Sequence, residues 1–438
     1  MSIIYALATP PAQSAICVFR VSGEGCLDAL SKLFSSELVE PRYFYKTEML
    51  NNGAFIDSVA VVFFKGPKSF TGEDSFEVYA HGGLAVMSKI VEVFDAIGFE
   101  EAQPGEFSKR AFLNNKISLS QAEAVSDLIS ASSKEEASRV SLVLGGDFES
   151  RVFDFSGQLD ALRVLVEGEI DFTDEDETFI QNLAGLGADV SRLSAEFCSF
   201  AGACSSRKDG FNKPRVLIAG PPNSGKSSLF NSLLSRDRSI VSSIAGTTRD
   251  LIDSELVLQN IVLTLGDSAG VRDTDDLIEG AGINISFDEI KKSDLVILVF
   301  DEETESSVSF FRELLGEQKH LLVYNKIDVS DKRPLGFDLF VSAKEMDGLN
   351  ELRKILDERL SVDESGDLTY LVRERHINIF SEVSSRLDFV SSSIEANESL
   401  DVVAENLRAC RDLLAEVVGI KTSDELLGEI FSSFCIGK

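Results

Sequence analysis

Residues 220–227 read Gly-Pro-Pro-Asn-Ser-Gly-Lys-Ser, between the apolar run Val216-Leu-Ile-Ala219 and the helix-like Ser228-Leu-Phe-Asn-Ser-Leu-Leu234. A strand that enters a glycine loop and leaves as a helix has few ways to fold. The glycines let backbone N–H groups close on phosphate oxygens, and the helix N-terminus favours the anion. In such a cradle Lys226 reaches the outer phosphates and the Ser227 hydroxyl ligates Mg²⁺. The bare pattern is common by chance; the strand–loop–helix context gives it a mechanism. Because the cradle lies at mid-chain, the long flanks on both sides need roles of their own.

Proline marks out those flanks. All nine prolines fall at positions 10, 11, 41, 67, 104, 214, 221, 222 and 334, so 105–213 and 335–438 contain no helix breaker of this kind. In the first 118 residues, short β-like runs (Ile16–Arg20, Val59–Phe64, Phe76–Ala80) alternate with turns and one amphipathic helix near Leu84–Ile97. That pattern is α+β. Capping boxes at Ser120-Gln-Ala-Glu123 and Thr422-Ser-Asp-Glu425 predict helix starts within the proline-free stretches. From Lys213 strands alternate with helices: Arg215–Ala219, Leu256–Leu265 with a turn at Asn260, Leu295–Phe300 and Leu321–Tyr324. This is the pattern of a βα nucleotide-binding sheet. The predicted organisation is an N-terminal α+β domain (1–118) and an all-α domain in two parts (119–210 and 361–438). An α/β domain (211–360) is inserted between those parts. A chain of 438 residues has room for all three. Four sequential domains are the rival, but 361–438 alone makes a thin helical domain.

Composition sets outer limits. The longest apolar runs, Val59–Phe64 and Leu295–Phe300, are too short to span a membrane, and the N-terminus lacks a basic signal region. Six cysteines without zinc or redox spacing suit a reducing compartment, so a cytoplasmic protein is expected. His81, His320 and His376 are scattered and form no ligand cluster. His81, between Ala80 and Gly82, reads as a pocket-lining residue, and Arg373 and Arg375 read as solvated faces. A net charge of −31 argues against a surface that grips nucleic acid throughout, while leaving room for a local basic patch or a basic partner.

Downstream of the cradle the parts of a guanine-nucleotide hydrolase follow in order. Asp267-Ser268-Ala269-Gly270 ends a predicted strand, where Asp267 can hold Mg²⁺ through water and the Gly270 N–H can sense a γ-phosphate. Asn325-Lys326-Ile327-Asp328 follows Leu321–Tyr324. Asp328 there can accept two hydrogen bonds from the guanine edge; adenine offers no such donor pair. Ser342-Ala343-Lys344 closes the base pocket. Val271 follows Gly270, and its apolar side chain cannot orient water as the Gln of Ras-type enzymes does. Asp273, Asp275, Asp276 and Glu279 are the candidates in the following loop. No arginine finger is evident, but Asn223 offers a carbonyl oxygen where a monovalent cation could supply the missing charge.

Gly220-Pro-Pro-Asn-Ser-Gly-Lys-Ser-Ser228, Ile244-Ala-Gly-Thr-Thr-Arg-Asp250, the mid-chain insertion and Cys435-Ile-Gly-Lys438 together resemble the MnmE (TrmE) family of tRNA-modifying GTPases. The resemblance covers the whole chain. Its Gly-Thr-Thr-Arg-Asp motif is shared with several assembly GTPases; the Cys-x-Gly-Lys tail with a folate-type N-terminal domain is not. The resemblance implies GTP hydrolysis activated by K⁺ when two G domains pair across a homodimer. K⁺ would sit on Asn223, Ser242 and the backbone carbonyls of Ile244 and Thr247, and Thr248 would join Ser227 on Mg²⁺. Glu279 would position the attacking water, and Lys226, on the outer phosphates, would be the second catalytic residue of the G domain. GTP contacts would run through Asn223, Ser224, Gly225, Lys226, Ser227 and Ser228. They would continue through Ser242, Ser243, Ile244, Ala245, Gly246, Thr247 and Thr248, and through Asp267, Ser268, Ala269 and Gly270. The base would meet Asn325, Lys326, Asp328, Ser342, Ala343 and Lys344. Two departures bear on switch-loop stiffness: Ser243 stands where the family usually has Asp, and Gly280-Ala281 where a bulkier basic-apolar pair is common.

The N-terminal segments Ile16–Gly23, Ser69–Glu77 with His81-Gly-Gly83, and Pro104–Lys116 resemble the folate-binding fold of one-carbon transferases. A tetrahydrofolate needs a carboxylate for its pterin N–H donors, which Glu77 can supply, and cations for its glutamate tail or carbonyl side, which Arg20 and Lys116 can supply. Taken alone, Arg20 on a strand reads as a salt-bridge residue; the resemblance makes it a ligand contact. The resemblance also brings Cys435 to the one-carbon chemistry and Lys438 to the cofactor, a 5-formyl- or 5,10-methylene-tetrahydrofolate. The bland reading keeps Cys435 as a small buried apolar residue. An MnmG-like FAD protein would be the partner. Together they would build the carboxymethylaminomethyl or aminomethyl group on C5 of the wobble uridine of certain tRNAs, held mainly by that partner. The rivals are a ribosome-assembly-type GTPase switch without folate chemistry, which would need a basic RNA-binding module, and a free-standing folate enzyme regulated by GTP.

Overall fold

Along Ser75–His81 every second residue, Phe76, Val78 and Ala80, is buried, and this alternation gives the first sheet one buried face. The computed structural model describes residues 2–171, 180–207, 213–235, 253–267, 287–330, 332–360, 369–396, 398–421, 423–434 and 436–437. The first sheet comprises β1 (Ile4–Leu7), β2 (Ile16–Ser22), β3 (Tyr45–Asn51), β4 (Ala54–Phe64), β5 (Ser75–His81) and β6 (Glu100–Glu101) in the order β3-β4-β5-β2-β1-β6. Its neighbours are antiparallel except β1 and β6. Helices α1 (Leu30–Leu33) and α2 (Leu84–Ala96) pack on its buried face, where Phe19, Phe76, Phe94 and Phe99 form an aromatic core. Helix α3 (Glu106–Leu113) follows.

Then come α4 (Leu119–Ser130), α5 (Lys134–Leu144), α6 (Asp147–Asp171), α7 (Ile180–Gly202) and a short strand β7 (Cys204–Arg207). The α4 cap lies two residues earlier than predicted. Gln121 N donates to Ser118 Oγ (3.2 Å) and Ser118 N donates to Gln121 Oε1 (3.0 Å), so the box is Ser118–Gln121.

The second sheet contains β8 (Arg215–Ala219), β9 (Asp253–Val257), β10 (Val262–Asp267), β11 (Leu295–Phe300), β12 (His320–Tyr324) and β13 (Leu339–Phe340). Their order is β13-β12-β11-β8-β10-β9, parallel except for β9. Every residue of β11 is buried, as a strand covered on both faces requires. Leu295, Ile297 and Val299 enter one core with α8 (Lys226–Ser235) and α11 (Leu349–Leu360). Val296, Leu298 and Phe300 enter the other, with α9 (Phe287–Lys292) and α10 (Val308–Leu315). The predicted turn at Asn260 joins β9 to β10, held by Asp357, which accepts from Asn260 N (3.0 Å) and Nδ2 (2.6 Å).

The chain returns through β14 (Tyr370–Arg373) to α12 (Glu374–Glu395), α13 (Leu400–Val418) and α14 (Asp424–Ser432). Strand β14 pairs in parallel with β7, Tyr370 opposite Cys204. Helices α6, α7, α12 and α13 form a four-helix bundle around Phe148, Phe155, Phe197, Phe380, Leu407 and Leu414. The cap of α14 is Ser423, which accepts from Leu426 N; Thr422 of the predicted box lies outside the described residues. The described chain divides into two compact units, 1–130 with 138–209 and 367–438, and 131–137 with 210–366.

Arg373 and Arg375 are not solvated faces. Arg375 donates to both oxygens of Glu123 (3.0 and 2.8 Å), and Arg373 donates to Asp127 Oδ1 (2.6 Å). The two carboxylates are buried four residues apart on α4, so they present one inward pair of acceptors. Beside them His376 is buried against Phe148. Burial first, then the Arg375 and Arg373 charges, hold its imidazole well below the ordinary pKa. Glu123 Oε2 lies 3.4 Å from its Nε2, but that carboxylate is already satisfied by Arg375. A histidine kept neutral in the fold is protonated first in the unfolded chain, so stability is lost as pH falls below about 6.5. Calorimetry from pH 7.5 to 5.5 is expected to show this loss, up to about 1.4 kcal/mol per pH unit, reduced in His376→Phe. Equal pH dependence of the two proteins would exclude His376 as its source.

Candidate functional site

In the unit containing 210–366, β8 lies between β11 and β10, the point where such a sheet opens a crevice at its strand ends. The cradle follows β8 directly. Gly220 (φ 143°) and Gly225 (φ 94°) occupy conformations that disfavour side chains. A Cβ would fall 2.3 Å from the Val299 carbonyl oxygen at the first and 2.2 Å from Asn325 Nδ2 at the second. Asn223 takes the left-handed conformation (φ 62°). Lys226 opens α8, and its ammonium donates to the Pro221 carbonyl (2.7 Å). Ser227 and Ser228 are exposed on the first turn of α8.

The base-pocket motif is wired to this loop. Buried Asn325 donates through Nδ2 to the Ser224 carbonyl (2.9 Å) and accepts from Ala343 N (3.1 Å). Lys326 donates to the Asn223 carbonyl (2.7 Å) and to Asp301 Oδ2 (2.5 Å). Asp328 is exposed, and Ser342 Oγ donates to its Oδ1 (2.7 Å). That hydrogen bond holds the Asp328 carboxyl below the usual range. Lys344 is exposed, 3.7 Å from Glu345. The arrangement thus offers an anion cradle beside an ionised acceptor able to receive two N–H donors. Asp267 ends β10. Ser242, Ser243, Ile244, Ala245, Gly246, Thr247, Thr248, Ser268, Ala269, Gly270, Val271, Asp273, Asp275, Asp276 and Glu279 lie outside the described residues.

The unit containing the first sheet holds a cavity of about 550 Å³. Arg20 and Glu77 line it together with Phe64, Phe70, Phe76, Phe107, Val125 and Ile129, and with Ile436 and Gly437. The register of β2 and β5 sets Arg20 opposite Glu77, and Arg20 Nε donates to Glu77 Oε1 (2.9 Å). Tyr79, two residues along the same strand face, donates to Glu77 Oε2 (2.6 Å). Burial and that bond push its phenol up to about 12. Ser22 and Thr71 also line the cavity, their buried hydroxyls 2.7 Å apart.

Lys116 is not among the lining residues; its ammonium donates to the Pro67 carbonyl (2.8 Å). His81, expected to line the pocket, does not. Asp57 on β4 takes its Nδ1 (2.7 Å) and its main-chain N–H (2.8 Å), leaving the ring 70% exposed. Cys435 and Lys438 lie outside the described residues, but Ile436 and Gly437 between them meet the cavity. Gly437 (φ 91°) has the Leu7 carbonyl 2.9 Å from where a Cβ would be. Sequence reasoning missed Tyr79, whose signal was its i+2 position on the Glu77 face, and Asp301, which follows the apolar β11 and carries no motif.

Cradle, doubly wound sheet and base-pocket motif define the class: this is a P-loop GTPase. The family model for the N-terminus of the GTP-binding protein TrmE matches residues 3–116, and that for the MnmE helical domain matches 119–435. A tRNA modification GTPase MnmE of Legionella pneumophila (strain Corby) is 38% identical over 446 residues, covering 99% of each chain. One from Bordetella avium (strain 197N) is 38% identical over 452 residues, again with 99% of each covered. The chain belongs to the MnmE family of tRNA modification GTPases. The solved G domain of the T. maritima FeoB iron transporter is similar over 33% of this chain and 98% of its own, at 29% identity and a TM-score of 0.26.

Among the described residues, no helix is long and apolar enough to cross a membrane. The Gly225 geometry gives a direct test of the cradle. Gly225→Ala should displace Asn325 from the Ser224 carbonyl and weaken guanine-nucleotide binding at least about tenfold. Titration with a fluorescent GDP analogue checks this, with circular dichroism to establish that the helices remain.

Proposed function

We propose that this chain is a K⁺-stimulated GTPase that binds a one-carbon tetrahydrofolate. With a flavin-dependent MnmG-like partner, it installs the carboxymethylaminomethyl or aminomethyl group at C5 of the wobble uridine of certain tRNAs. The observation that carries this reading is the Arg20–Glu77 cavity, with Ile436 and Gly437 in its wall. Its volume suits a ligand of folate size, and its aromatic walls suit a flat heterocycle. Glu77 accepts pterin N–H donors, and the remaining N–H groups of Arg20 face a carbonyl or carboxylate. Lys116 stands beside the loop that supplies Phe70 and Thr71, where an ammonium suits the glutamate tail. Cys435 and Lys438 flank the two wall residues in sequence, which favours a role for the tail at this ligand. The bound folate, 5-formyl or 5,10-methylene, supplies the one-carbon unit.

In the G domain, Ser227 and Thr248 hold Mg²⁺, with Asp267 acting through water. Asn223, Ser242, Ile244 and Thr247 would hold K⁺, Glu279 would position the attacking water, and Lys226 would reach the outer phosphates. Asp328 selects guanine. The working division is a folate-binding and dimerisation domain (1–118), a helical domain (119–210 and 361–438) and the G domain (211–360). Two copies form the active homodimer in the cytoplasm, and the G domain times the reaction by conformational change. The FAD protein carries the redox chemistry and most of the tRNA contact.

Two measurements test the reading. Calorimetric titration with a reduced folate should show binding by the wild type and a loss of at least about tenfold in Glu77→Ala, as expected for removal of a charged acceptor. Unchanged affinity would remove Glu77 from the site. GTP turnover should be faster in KCl than in NaCl at equal ionic strength; equal rates would end the K⁺ assignment.

A further inference from the structure

Asp301 follows β11 immediately, and the end of that strand organises both halves of the Asn325-Lys326 pair. The Phe300 carbonyl accepts from Asn325 N (2.7 Å), and Asp301 Oδ2 accepts from Lys326 Nζ (2.5 Å). The Asp301 side chain is 5% exposed, whereas that of Lys326 is 40% exposed. Lys326 has left-handed backbone (φ 64°), as does Asn223 (φ 62°), and the same ammonium bonds the Asn223 carbonyl. Two non-glycine residues in this region persist only where neighbours hold them. Here the lysine ammonium spans them, and a buried carboxylate anchors the ammonium.

We propose that Asp301 is a positioning residue for nucleotide binding. Through Lys326 it fixes the Asn223 carbonyl, and so ties the base pocket to the phosphate cradle. Because the side chain of the same Asn223 is the proposed K⁺ ligand, holding its main-chain carbonyl makes Asp301 set the cation response as well; that second part rests on the K⁺ reading above.

The competing role is a turn cap. Asp301 Oδ1 accepts from Thr304 N (3.1 Å) and Oγ1 (2.6 Å), and Asp301 N donates to Thr304 Oγ1 (2.9 Å). The two functions use different oxygens and can be separated. Burial pushes the carboxyl up, but the Lys326 and Thr304 hydrogen bonds outweigh it and hold the group below its ordinary range. It is therefore an anion at neutral pH. Without that charge, a partly exposed ammonium is freed to turn to solvent and release the Asn223 carbonyl.

The test uses the full chain and a fluorescent GDP analogue. Asp301→Asn keeps an oxygen for Thr304 but removes the charge. It should weaken binding at least tenfold with little change in melting temperature, and raise the K⁺ concentration for half-maximal turnover. Thr304→Val should lower the melting temperature and leave affinity within twofold. In a Lys326→Met background the Asp301→Asn effect on affinity should vanish, because the pair acts as one unit. Unchanged affinity in Asp301→Asn, or an undiminished effect in the Lys326→Met background, would overturn the proposal. A wild type indifferent to K⁺ over Na⁺ would remove only the cation part, since the affinity cycle does not depend on it.

Discussion

The parallel ladder between Cys204–Arg207 and Tyr370–Arg373 brings together two stretches that flank a whole α/β domain in sequence. Closing a loop costs entropy that rises only with the logarithm of its length, about 0.6 kcal/mol per doubling. A large insertion is therefore tolerated once its two ends are held. At this neck Tyr370 Oη donates to Asp147 at the start of α6, and its phenol is pushed up to about 12 by burial and that bond. Just beyond it, Arg373 and Arg375 reach Asp127 and Glu123 on α4. Replacing such buried pairs by apolar residues is often nearly neutral, whereas removing one partner costs about 3–5 kcal/mol. Their value here lies in register, because they fix where the returning chain meets the bundle.

In the G unit a second tie does the equivalent work over a shorter distance. The cradle and the base pocket come from opposite ends of the inserted segment, yet Asn325 and Lys326 bond the carbonyls of Ser224 and Asn223 in succession. Each bond satisfies a carbonyl of the cradle loop just ahead of helix α8. The left-handed residues at both ends cost of order 1 kcal/mol or more each. They mark the place where the fold trades stability for a preset loop.

How much of this could be read in the sequence depended on whether the cause was local. The cradle, the strand runs and the turn at Asn260 carry their pattern within a few residues, so their positions were legible. The α4 cap was misplaced because Ser118 and Ser120 both precede an acidic or amide residue at i+3; tertiary pairing with Arg375 takes Glu123 out of the choice. Strands β7 and β14 escaped notice because four residues with no hydrophobic period become strands only by meeting each other. His81 was misassigned for the same reason: its partner Asp57 lies on a neighbouring strand. Arg20 and Glu77 were brought together by strand register, while Lys116 was drawn to a loop carbonyl beside the cavity.

Electrostatics constrains the proposed work on tRNA more than any single motif does. The chain carries a net charge of −31, and among the described residues several buried or half-buried cations are committed internally. Arg110 is held by Glu106 and Glu73, Arg375 by Glu123, Arg373 by Asp127, and Lys326 by Asp301. Each pair neutralises a cation where it would otherwise add to a positive field, and the excess carboxylates remain. Phosphate-dominated binding draws its free energy from cations that displace counterions. A surface of this composition lowers the local concentration of a polyanion and slows its approach. The same acidity favours a basic protein surface, with complementary potential raising the encounter rate. The division of labour proposed above fits this balance: a chain with so little uncommitted positive charge is better suited to timing a reaction than to gripping a nucleic acid.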